Sequence, residues 1–291
     1  MILENSKLGR FIKRIFFFIL IRSISTSVRF NKRNELKNKL QEIVPSLTDQ
    51  YTTEDIRINN KFSNEKIRSL HAFQVNFLLN GMKHIVKNNN ERKKQLNIID
   101  IGDSSGNHAK YLSKLQNITE KFNLLSIDID PVSVEKIKSK GLEAVCCRAE
   151  EIGKLDLGFK PDMMYSLQML EHLTDPARFL YSLSKSNVCD YFAMTVPYVK
   201  NSRVGLKHLR KGIDRQVSPE ECHIFELNPE DWKLLSNFAG WEIVNSEVYL
   251  QYPKLHPLYL TKPVWKYYDF EGFLGIMLKR KYDLANRYLG W

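Results

Sequence analysis

Cysteine is scarce in this sequence. Four cysteines occur among 291 residues, and no two of them form a Cys-x-x-Cys pair. A chain of this length can bury a sizeable core, so it needs no disulfide framework. The seven histidines are scattered and lack cysteine or acidic partners at the spacing of metal ligands. We therefore expect reduced cysteines, a cytoplasmic location and no bound metal.

Long apolar runs are also absent. The longest near the amino end is Ile15 to Ile21, which lies between two arginines. A membrane-spanning helix needs about 20 apolar residues, and the Ser-Ile-Ser-Thr-Ser that follows this run is a poor signal-peptide cleavage site. Two interpretations of residues 8–30 stay open. They are contact with anionic lipid at the inner face of a membrane, and packing on the protein's own domain or a partner chain.

Acidic residues are outnumbered by basic ones. Lys plus Arg is 44 and Asp plus Glu is 33, which gives a net charge of +11. The first 50 residues contain ten basic and four acidic side chains, a net charge of +6. This bias suits an anionic surface, whether nucleic acid or phospholipid, but does not specify a fold. The sequence also lacks a Gly-x-x-x-x-Gly-Lys-Ser/Thr loop for nucleoside triphosphates.

Strand-like and helical patterns alternate from residue 63 onward, whereas residues 31–63 have weak periodicity and are predicted to be irregular. Short apolar runs typical of strands lie at 96–101, 124–128, 142–147, 162–167, 190–196, 241–250 and 272–279. The alternation predicts an α/β, Rossmann-like fold with a seven-stranded, mostly parallel, doubly wound sheet. Helices would cover both faces, and a helical extension would precede the sheet. We assign residues 1–62 to a basic extension and 63–291 to the main domain, with insertions near 199–222 and 251–270.

The turn after the first predicted strand has the form of a cofactor-binding turn. The segment Asp100 to Gly106 (DIGDSSG) follows that strand and leads into a helical stretch. Glycines permit positive φ and close approach of a ligand, and a helix amino terminus offers N–H groups to a carboxylate or phosphate. Alone, such a turn also occurs at dinucleotide sites or without a ligand. Asp128 ends the second strand, where a carboxylate can accept hydrogen bonds from a ribose diol.

Two later segments make the pattern more specific. Arg148 to Glu151 (RAEE) follows the third strand, and Leu170 to Pro176 (LEHLTDP) follows the fourth. Together with the turn and Asp128, in this order, they resemble class I S-adenosylmethionine-dependent methyltransferases. The Leu-Glu-His-x-x-Asp-Pro stretch is similar to small-molecule enzymes of the ubiquinone-biosynthesis type. The resemblance covers roughly residues 63–281 and implies an enzyme that uses S-adenosylmethionine as cofactor.

The resemblance also implies a set of cofactor-binding residues. Those at the methionine end are Asp100, Gly102, Asp103, Ser104 and Gly106; those at the adenosine end are Asp128, Ile129, Ala149 and Glu150; Gln168 would lie near the sulfonium. The chain departs from the family pattern at three of its positions. Ser104 stands where a glycine is usual, Asp103 where a small or apolar residue is usual, and Arg148 where an acidic residue is common.

Two histidines are candidate bases, because a hydroxyl acceptor must lose a proton during methyl transfer. His172 follows the fourth strand, at the edge of the sheet where ligands bind in open α/β folds. The alternative is a structural histidine that orients its loop. His223 precedes the helix before the sixth strand and can reach the same cleft, or it is an exposed or capping residue.

The two predicted insertions suggest acceptor contacts. Basic residues recur at helical spacing in the first one: Lys200, Arg203, Lys207, Arg210 and Lys211. They either meet an anionic acceptor, such as a phosphate-linked sugar or lipid-linked glycan, or form a solvated helix face. Trp265, Tyr267, Tyr268 and Phe270 in the second insertion either contact sugar or lipid or form a lid over the sheet edge.

Three functions follow from these patterns. The first is O-methylation of a small molecule or a cell-surface glycan precursor. The second is RNA methylation, which the net charge of +11 suggests, although no RNA-binding module is recognisable. The third is a non-catalytic binding protein of methyltransferase fold, which the departures at Asp103 and Ser104 suggest.

Overall fold

The structure is a computed structural model that describes residues 7–47, 61–88, 95–116, 121–204, 222–268 and 270–290. The chain divides into two compact units. Unit 1 comprises Met1–Asn76 and Tyr249–Gly272, and unit 2 comprises Phe77–Val248 and Phe273–Trp291.

A seven-stranded sheet confirms the predicted α/β fold. The strands are β1 Leu96–Ile101, β2 Phe122–Asp128, β3 Glu143–Cys146, β4 Met163–Leu167, β5 Tyr191–Tyr198, β6 Arg203–Val204, β7 Phe225–Glu226, β8 Trp241–Leu250 and β9 Gly272–Arg280. Their order in the large sheet is β3-β2-β1-β4-β5-β9-β8, and β1 to β5 pair in parallel. Strands β6 and β7 form a separate antiparallel pair. The chain is therefore a Rossmann-like protein whose strand order reverses between β1 and β4.

Helices connect the strands and precede the sheet. They are α1 Lys7–Phe30, α2 Asn34–Ile43, α3 Lys61–Asn88, α4 Asn107–Leu115, α5 Pro131–Ser139, α6 Pro176–Lys185, α7 Pro229–Phe238 and α8 Lys262–Tyr268, with 3-10 helices at Ala149–Lys154, Leu170–His172, Pro257–Thr261 and Tyr282–Arg287. Three of them begin at an Asp-Pro or Asn-Pro pair. Asp130, Asp175 and Asn228 each accept backbone N–H hydrogen bonds from the first turn, directly before a proline.

The core of unit 2 lies where α6 and α7 pack against the central strands. Trp241 and Phe192 are fully buried there, with ring centroids 6.1 Å apart. The Nε1 of Trp241 donates a hydrogen bond to the carbonyl oxygen of Leu180 at 2.8 Å, so the polar atom of this large side chain is satisfied. This packing fixes α6, the helix that follows the Leu-Glu-His segment.

Unit 1 places the late aromatic insertion in its own core. Trp265 is fully buried, stacks on Phe62 with 5.9 Å between ring centroids, and its Nε1 lies 3.4 Å from the Oγ of Ser23. Ser23 also donates a hydrogen bond to the carbonyl of Gln251. Trp265 is thus a structural residue of this unit, whereas Tyr267 is largely exposed.

Helix α2 corrects the prediction of an irregular segment over residues 31–63. Its sequence is mostly polar, and its stability comes from distant partners. Leu40 is buried, and the Nζ of Lys37 lies 2.6 Å from the Glu65 carboxylate. Leu36, Leu40 and Ile43 do follow a helical spacing, but it extends over only two turns of a mostly polar ten-residue segment, so the prediction missed the helix.

The predicted basic helix after β5 is wrong over its described part. Arg203 and Val204 form a strand that pairs with Glu226 and Phe225, and Arg203 binds the Glu226 carboxylate. The remaining basic residues of the predicted stripe, Lys207, Arg210 and Lys211, lie outside the described residues.

Within the part of the chain that the structure describes, no helix is both long enough and apolar enough to cross a membrane.

Replacing Trp241 by phenylalanine tests the described core of unit 2. The variant loses the hydrogen bond to Leu180 and leaves unfilled volume, so we expect the free energy of unfolding to fall by about 2 kcal/mol. Urea denaturation followed by circular dichroism measures the change. The matched control is Leu234→Ala, on the exposed side of α7, which should change it by less than about 0.5 kcal/mol. Equal losses in the two variants would contradict this packing.

Candidate active site

The turn between β1 and α4 has an alternating backbone. Gly102, Ser104 and Gly106 have φ values of +82°, +46° and +71°. The N–H of Gly102 donates to the carbonyl of Ile127 at 2.8 Å, and the N–H of Ser104 donates to Asp128 Oδ2 at 3.0 Å. Ser104 therefore keeps the left-handed conformation that glycine adopts easily, at a cost of about 1 kcal/mol. Although serine replaces the usual glycine here, the hydrogen bond from its N–H to Asp128 still joins the turn to the end of β2.

Gly106 is the position in this turn where a side chain would not fit. A Cβ atom there would lie 3.0 Å from Ile137 Cγ1, and the positive φ adds a second penalty. Gly102 is less crowded, since its nearest neighbour would be Met169 Cγ at 3.5 Å. Both glycines hold the backbone close to neighbouring elements of unit 2.

Asp103 corrects one expectation for the turn. Only 5% of this residue is exposed. Its Oδ1 accepts the N–H of His108 at 3.3 Å, and its Oδ2 accepts the N–H of Ala109 at 3.0 Å. These N–H groups at the start of α4 were expected to serve a ligand, but an internal carboxylate occupies them. A pyrophosphate at this helix terminus would meet the negative charge of Asp103, which disfavours a dinucleotide.

Asp100 is buried beneath the turn. It lies in β1 opposite Tyr165 of β4, whose hydroxyl donates to Asp100 Oδ2 at 2.8 Å. Burial, and then the nearby Asp103 carboxylate, raise the pKa of Asp100 well above its usual value. Asp128 also contributes to this increase. Three carboxylates thus face one another at the end of β1 and β2, where a bound cation would relieve their repulsion.

Asp128 is the last residue of β2 and retains acceptor capacity. Its Oδ1 accepts the N–H of Asp130 at 2.9 Å, and its Oδ2 accepts that of Ser104. Each carboxylate oxygen has a second lone pair for a hydroxyl donor. Burial raises the pKa of Asp128, and the two amide hydrogen bonds offset part of that increase. The neighbouring Ile129 is 56% exposed, so an apolar side chain is available to a ligand beside this carboxylate.

Ala149 and Glu150 begin the 3-10 helix after β3. They border a cavity of about 180 Å³ together with Phe179 and Leu183 of α6. The Glu150 side chain is half exposed, with one carboxylate oxygen 3.7 Å from Nε of Arg148. Arg148 therefore lies beside Glu150, the residue that the resemblance places at the adenosine end of the cofactor.

Gln168 follows β4 and is fixed against β5. Its N–H donates to the carbonyl of Thr195 at 2.8 Å, and its Nε2 donates to Thr195 Oγ1 at 3.2 Å. Its φ is +57°, so it is a second non-glycine residue in the left-handed region at this edge of the sheet. Residues in such conformations are concentrated at ligand and catalytic sites. Ser104 and Gln168 follow adjacent strands, at the point where the strand order reverses.

The two candidate histidines lie together. Their ring centroids are 4.6 Å apart, with the ring planes at 89°. His172 Nδ1 donates to the carbonyl oxygen of Cys222 at 2.9 Å, and His223 Nδ1 donates to Glu226 Oε1 at 2.8 Å. Although burial opposes the change, hydrogen bonds from His223 and Arg203 lower the pKa of Glu226. In each imidazole, the Nδ1 atom thus makes the hydrogen bond that orients the ring.

Glu171 accompanies these histidines, and it was not among the predicted site residues. One ligand-type atom from each of Glu171, His172 and His223 lies within 4.8 Å of the other two. Glu171 is fully buried, and its carboxylate oxygens have no hydrogen-bond partner among the described residues. Burial raises the pKa of Glu171 to about 8. The expectation of no metal-ligand grouping came from local spacing, and His223 is distant from the other two along the chain.

Two further residues support the turn and were missed in the sequence. Tyr165 was detectable in principle, because a parallel alignment of the first and fourth predicted strands places it beside Asp100. Lys140 follows α5, and its Nζ donates to the carbonyl of Ser105 and lies 3.3 Å from Asn107 Oδ1. No local pattern marks this lysine, since its partners come from a loop packed against it.

Comparisons with known proteins bear on the fold. No protein-family model and no curated protein matches the chain. A proposed sarcosine dimethylglycine methyltransferase from Galdieria sulphuraria is similar in structure, with 11% identity, a TM-score of 0.51 and coverage of 79% of this chain and 91% of that one. An S-adenosylmethionine-dependent methyltransferase from Clostridium acetobutylicum matches with 12% identity, a TM-score of 0.43 and coverage of 71% and 92%.

A further solved structure is a Burkholderia thailandensis 1,6-didemethyltoxoflavin-N1-methyltransferase with bound 1,6-didemethyltoxoflavin and S-adenosylhomocysteine. It is 12% identical, with a TM-score of 0.46, and the match covers 75% of this chain and 86% of that one. The likeness to the Galdieria protein shows the fold alone. The chain has the fold of class I S-adenosylmethionine-dependent methyltransferases.

Proposed function

We propose that this chain is an S-adenosylmethionine-dependent methyltransferase that methylates a hydroxyl group of a small molecule or a cell-surface glycan precursor. One observation carries the proposal. The left-handed turn at Gly102, Ser104 and Gly106 is hydrogen-bonded to Asp128 at the reversal point of the sheet. In open α/β sheets ligands bind in the crevice at this point, outside the carboxyl ends of the strands.

The charges of the turn fit this cofactor better than a dinucleotide. S-adenosylmethionine carries an ammonium, a sulfonium and one carboxylate, so it is a net cation. Asp100, Asp103 and Asp128 cluster in the turn, and the pKa values of Asp100 and Asp128 are raised. A cationic ligand would relieve this repulsion, whereas a pyrophosphate would add to it.

The residues present would hold the cofactor along the strand ends. Asp128 would accept the ribose hydroxyls, with Ile129 beside the adenine and Ala149 and Glu150 along its edge. Gln168, fixed by Thr195, would border the methyl-donating end. When bound, the cofactor supplies an electrophilic methyl group. The protein contributes the alignment of the cofactor with the acceptor.

The two histidines support a hydroxyl acceptor. In each ring Nδ1 is a hydrogen-bond donor, to Cys222 in one case and to Glu226 in the other, so Nε2 carries the lone pair. They follow β4 and precede α7, at the edge of the sheet that also bears Gln168. We assign His172 and His223 to the control of the acceptor proton. Arg203 binds the Glu226 carboxylate. We therefore assign Arg203 to holding the partner of His223 and not to binding an anionic acceptor.

We also propose that α1 contacts a membrane surface. Six apolar side chains on one side of its amino-terminal half are 41% to 62% exposed: Leu8, Phe11, Ile12, Ile15, Phe18 and Ile19. Leu20, Ile24 and Val28 of the same helix are buried, so the exposed stripe is separate from the packed one. Basic residues accompany the stripe, which suits a helix lying in the interface of an anionic bilayer.

Asp128→Asn tests the cofactor site. Asparagine keeps the size of the side chain but removes the charge and one acceptor site, so we expect the affinity for S-adenosylmethionine to fall at least tenfold. Isothermal calorimetry measures the affinity, with circular dichroism to check folding. The matched control is Glu135→Gln, an exposed acid on α5, which should bind as the unaltered chain does. Equal affinity of Asp128→Asn and the control would refute the assignment.

The acceptor is identified with methyl-labelled cofactor and fractionated cell extract, using the unaltered chain and Asp128→Asn in parallel. Label that enters small molecules or glycans with the first protein alone supports the proposal. Label in RNA or protein overturns the acceptor class. Absence of cofactor binding overturns the enzymatic function and favours a non-catalytic binding protein.

Pelleting with vesicles tests the membrane proposal. The chain should sediment with vesicles containing anionic phospholipid and less with zwitterionic ones, because basic residues attract the anionic surface. The triple variant Phe11→Ser, Ile15→Ser and Phe18→Ser should lose most of this binding. Leu234→Ser, which removes an exposed apolar residue of α7, is the control and should not change it. Undiminished pelleting of the triple variant would exclude α1 as the contact.

A further inference from the structure

The residues Glu171, His172 and His223 form what we call the Glu171 cluster. One ligand-type atom from each lies within 4.8 Å of the others, although the last residue belongs to a different loop from the first two. Ligand atoms around a tetrahedral zinc ion are about 3.3 Å apart, given bond lengths of 2.0 to 2.1 Å. A bound ion would therefore draw these ligand-type atoms together by at most about 1.5 Å.

The carboxylate of Glu171 gives independent support for a ligand. The residue is fully buried, and neither carboxylate oxygen has a hydrogen-bond partner on any other described residue. Buried carboxylates in proteins are paired, hydrogen-bonded or bound to a metal, because an isolated buried charge is strongly unfavourable. The two nearby histidines supply the other ligands that such a metal would need.

The histidines are oriented as metal ligands commonly are. His172 donates from Nδ1 to a backbone carbonyl, that of Cys222, and His223 donates from Nδ1 to the carboxylate of Glu226. These hydrogen bonds fix the tautomer in which Nε2 carries the lone pair and hold the ring plane. Metal-binding histidines typically make such a bond through the nitrogen that does not contact the metal.

The Glu226 carboxylate is itself held in place. Its side chain is fully buried, and it binds Arg203 through one oxygen and His223 through the other. These two contacts hold the carboxylate in position to accept the hydrogen bond from His223. Arg203 balances its charge, so the Glu171 carboxylate is the group whose charge a cation would neutralise. The antiparallel pair β6 and β7 supplies both Arg203 and Glu226. This two-stranded sheet therefore positions the carboxylate that orients His223.

We propose that the Glu171 cluster binds a divalent cation of zinc type, through the Glu171 carboxylate and the Nε2 atoms of His172 and His223. Two imidazoles and one carboxylate form a ligand set of catalytic zinc sites, in which a further position is open to water or substrate. Harder cations such as Mg²⁺ prefer sites made of oxygen ligands only, so the two nitrogens favour zinc.

The position of the cluster connects it to the proposed methyl transfer. Glu171 and His172 lie in the 3-10 helix directly after β4, three and four residues beyond Gln168. A cation there would bind the hydroxyl oxygen of the acceptor and weaken its O–H bond, so that the proton passes to water near neutral pH. His172 and His223 would then control the acceptor proton as ligands of the cation and not as bases. This second role rests on the proposed function; the binding of the cation does not.

Zinc binding is measured on the full chain after treatment with chelator and its removal, by calorimetry with Zn²⁺ alone. We expect one equivalent per chain, and at least a 100-fold loss of affinity in Glu171→Gln and in His223→Asn. Glu226→Gln should lose about tenfold, because it orients a ligand without contacting the ion. Circular dichroism establishes that each variant is folded. The control is His84→Asn, a histidine of α3 outside the cluster, which should bind as the unaltered chain does.

Saturable binding of one equivalent that is lost in Glu171→Gln and kept in His84→Asn supports the site. No such binding to the unaltered chain, or equal binding to Glu171→Gln, overturns it and leaves Glu171 as a protonated, neutral acid. Affinity for S-adenosylmethionine, measured in parallel with chelator present, separates the two proposals. Cofactor binding without zinc binding refutes the metal site alone, and zinc binding without cofactor binding refutes the methyltransferase alone.

Discussion

The hydrogen bond from the Ser104 amide to the Asp128 carboxylate determines the geometry of the proposed cofactor site. Strands β1 and β2 run parallel with Asp100 opposite Ser126 and Ile101 opposite Ile127, so the two strand ends are level. A turn that leaves β1 in the usual way would move away from β2. The left-handed residues bend it back, and the amide of Ser104 reaches the last side chain of β2. Serine tolerates this conformation because the hydrogen bond offsets its strain.

A concentration of buried carboxyl groups is the second organising feature, and it occurs twice along one edge of the sheet. Asp100, Asp103 and Asp128 surround the turn after β1, and Glu171 lies after β4. Asp103 is matched by the helix terminus that it caps, whereas Asp100 relies on one tyrosine hydroxyl and Glu171 on no described partner. Buried acidic side chains thus follow two adjacent strands, β1 and β4. We interpret the first as the site of a cationic cofactor and the second as a metal site, which would place the methyl donor and the acceptor side by side.

Local signals in the sequence predicted the parts of the fold that local interactions determine. Strands β1 to β5 were predicted from apolar runs, and α5, α6 and α7 each begin at an Asp-Pro or Asn-Pro pair, which is itself a local signal. Helix α2 was missed because its apolar spacing covers only two turns of a mostly polar segment, and its ion pair joins Lys37 to the distant Glu65. The cofactor turn was recognised, but the capping role of Asp103 was not, since its partners follow it by five and six residues. The grouping of Glu171 with His223 depends on the fold and had no signal in the sequence.

Calorimetry of S-adenosylmethionine binding, repeated in buffers of different ionisation enthalpy, tests the central claim most directly. A cation placed among Asp100, Asp103 and Asp128 lowers the raised pKa values of Asp100 and Asp128, so binding must release protons. The account predicts net proton release, and an affinity that increases as the pH rises through the raised pKa values of the ligand-free protein. Proton uptake, an affinity that falls with rising pH, or no binding at all would contradict it.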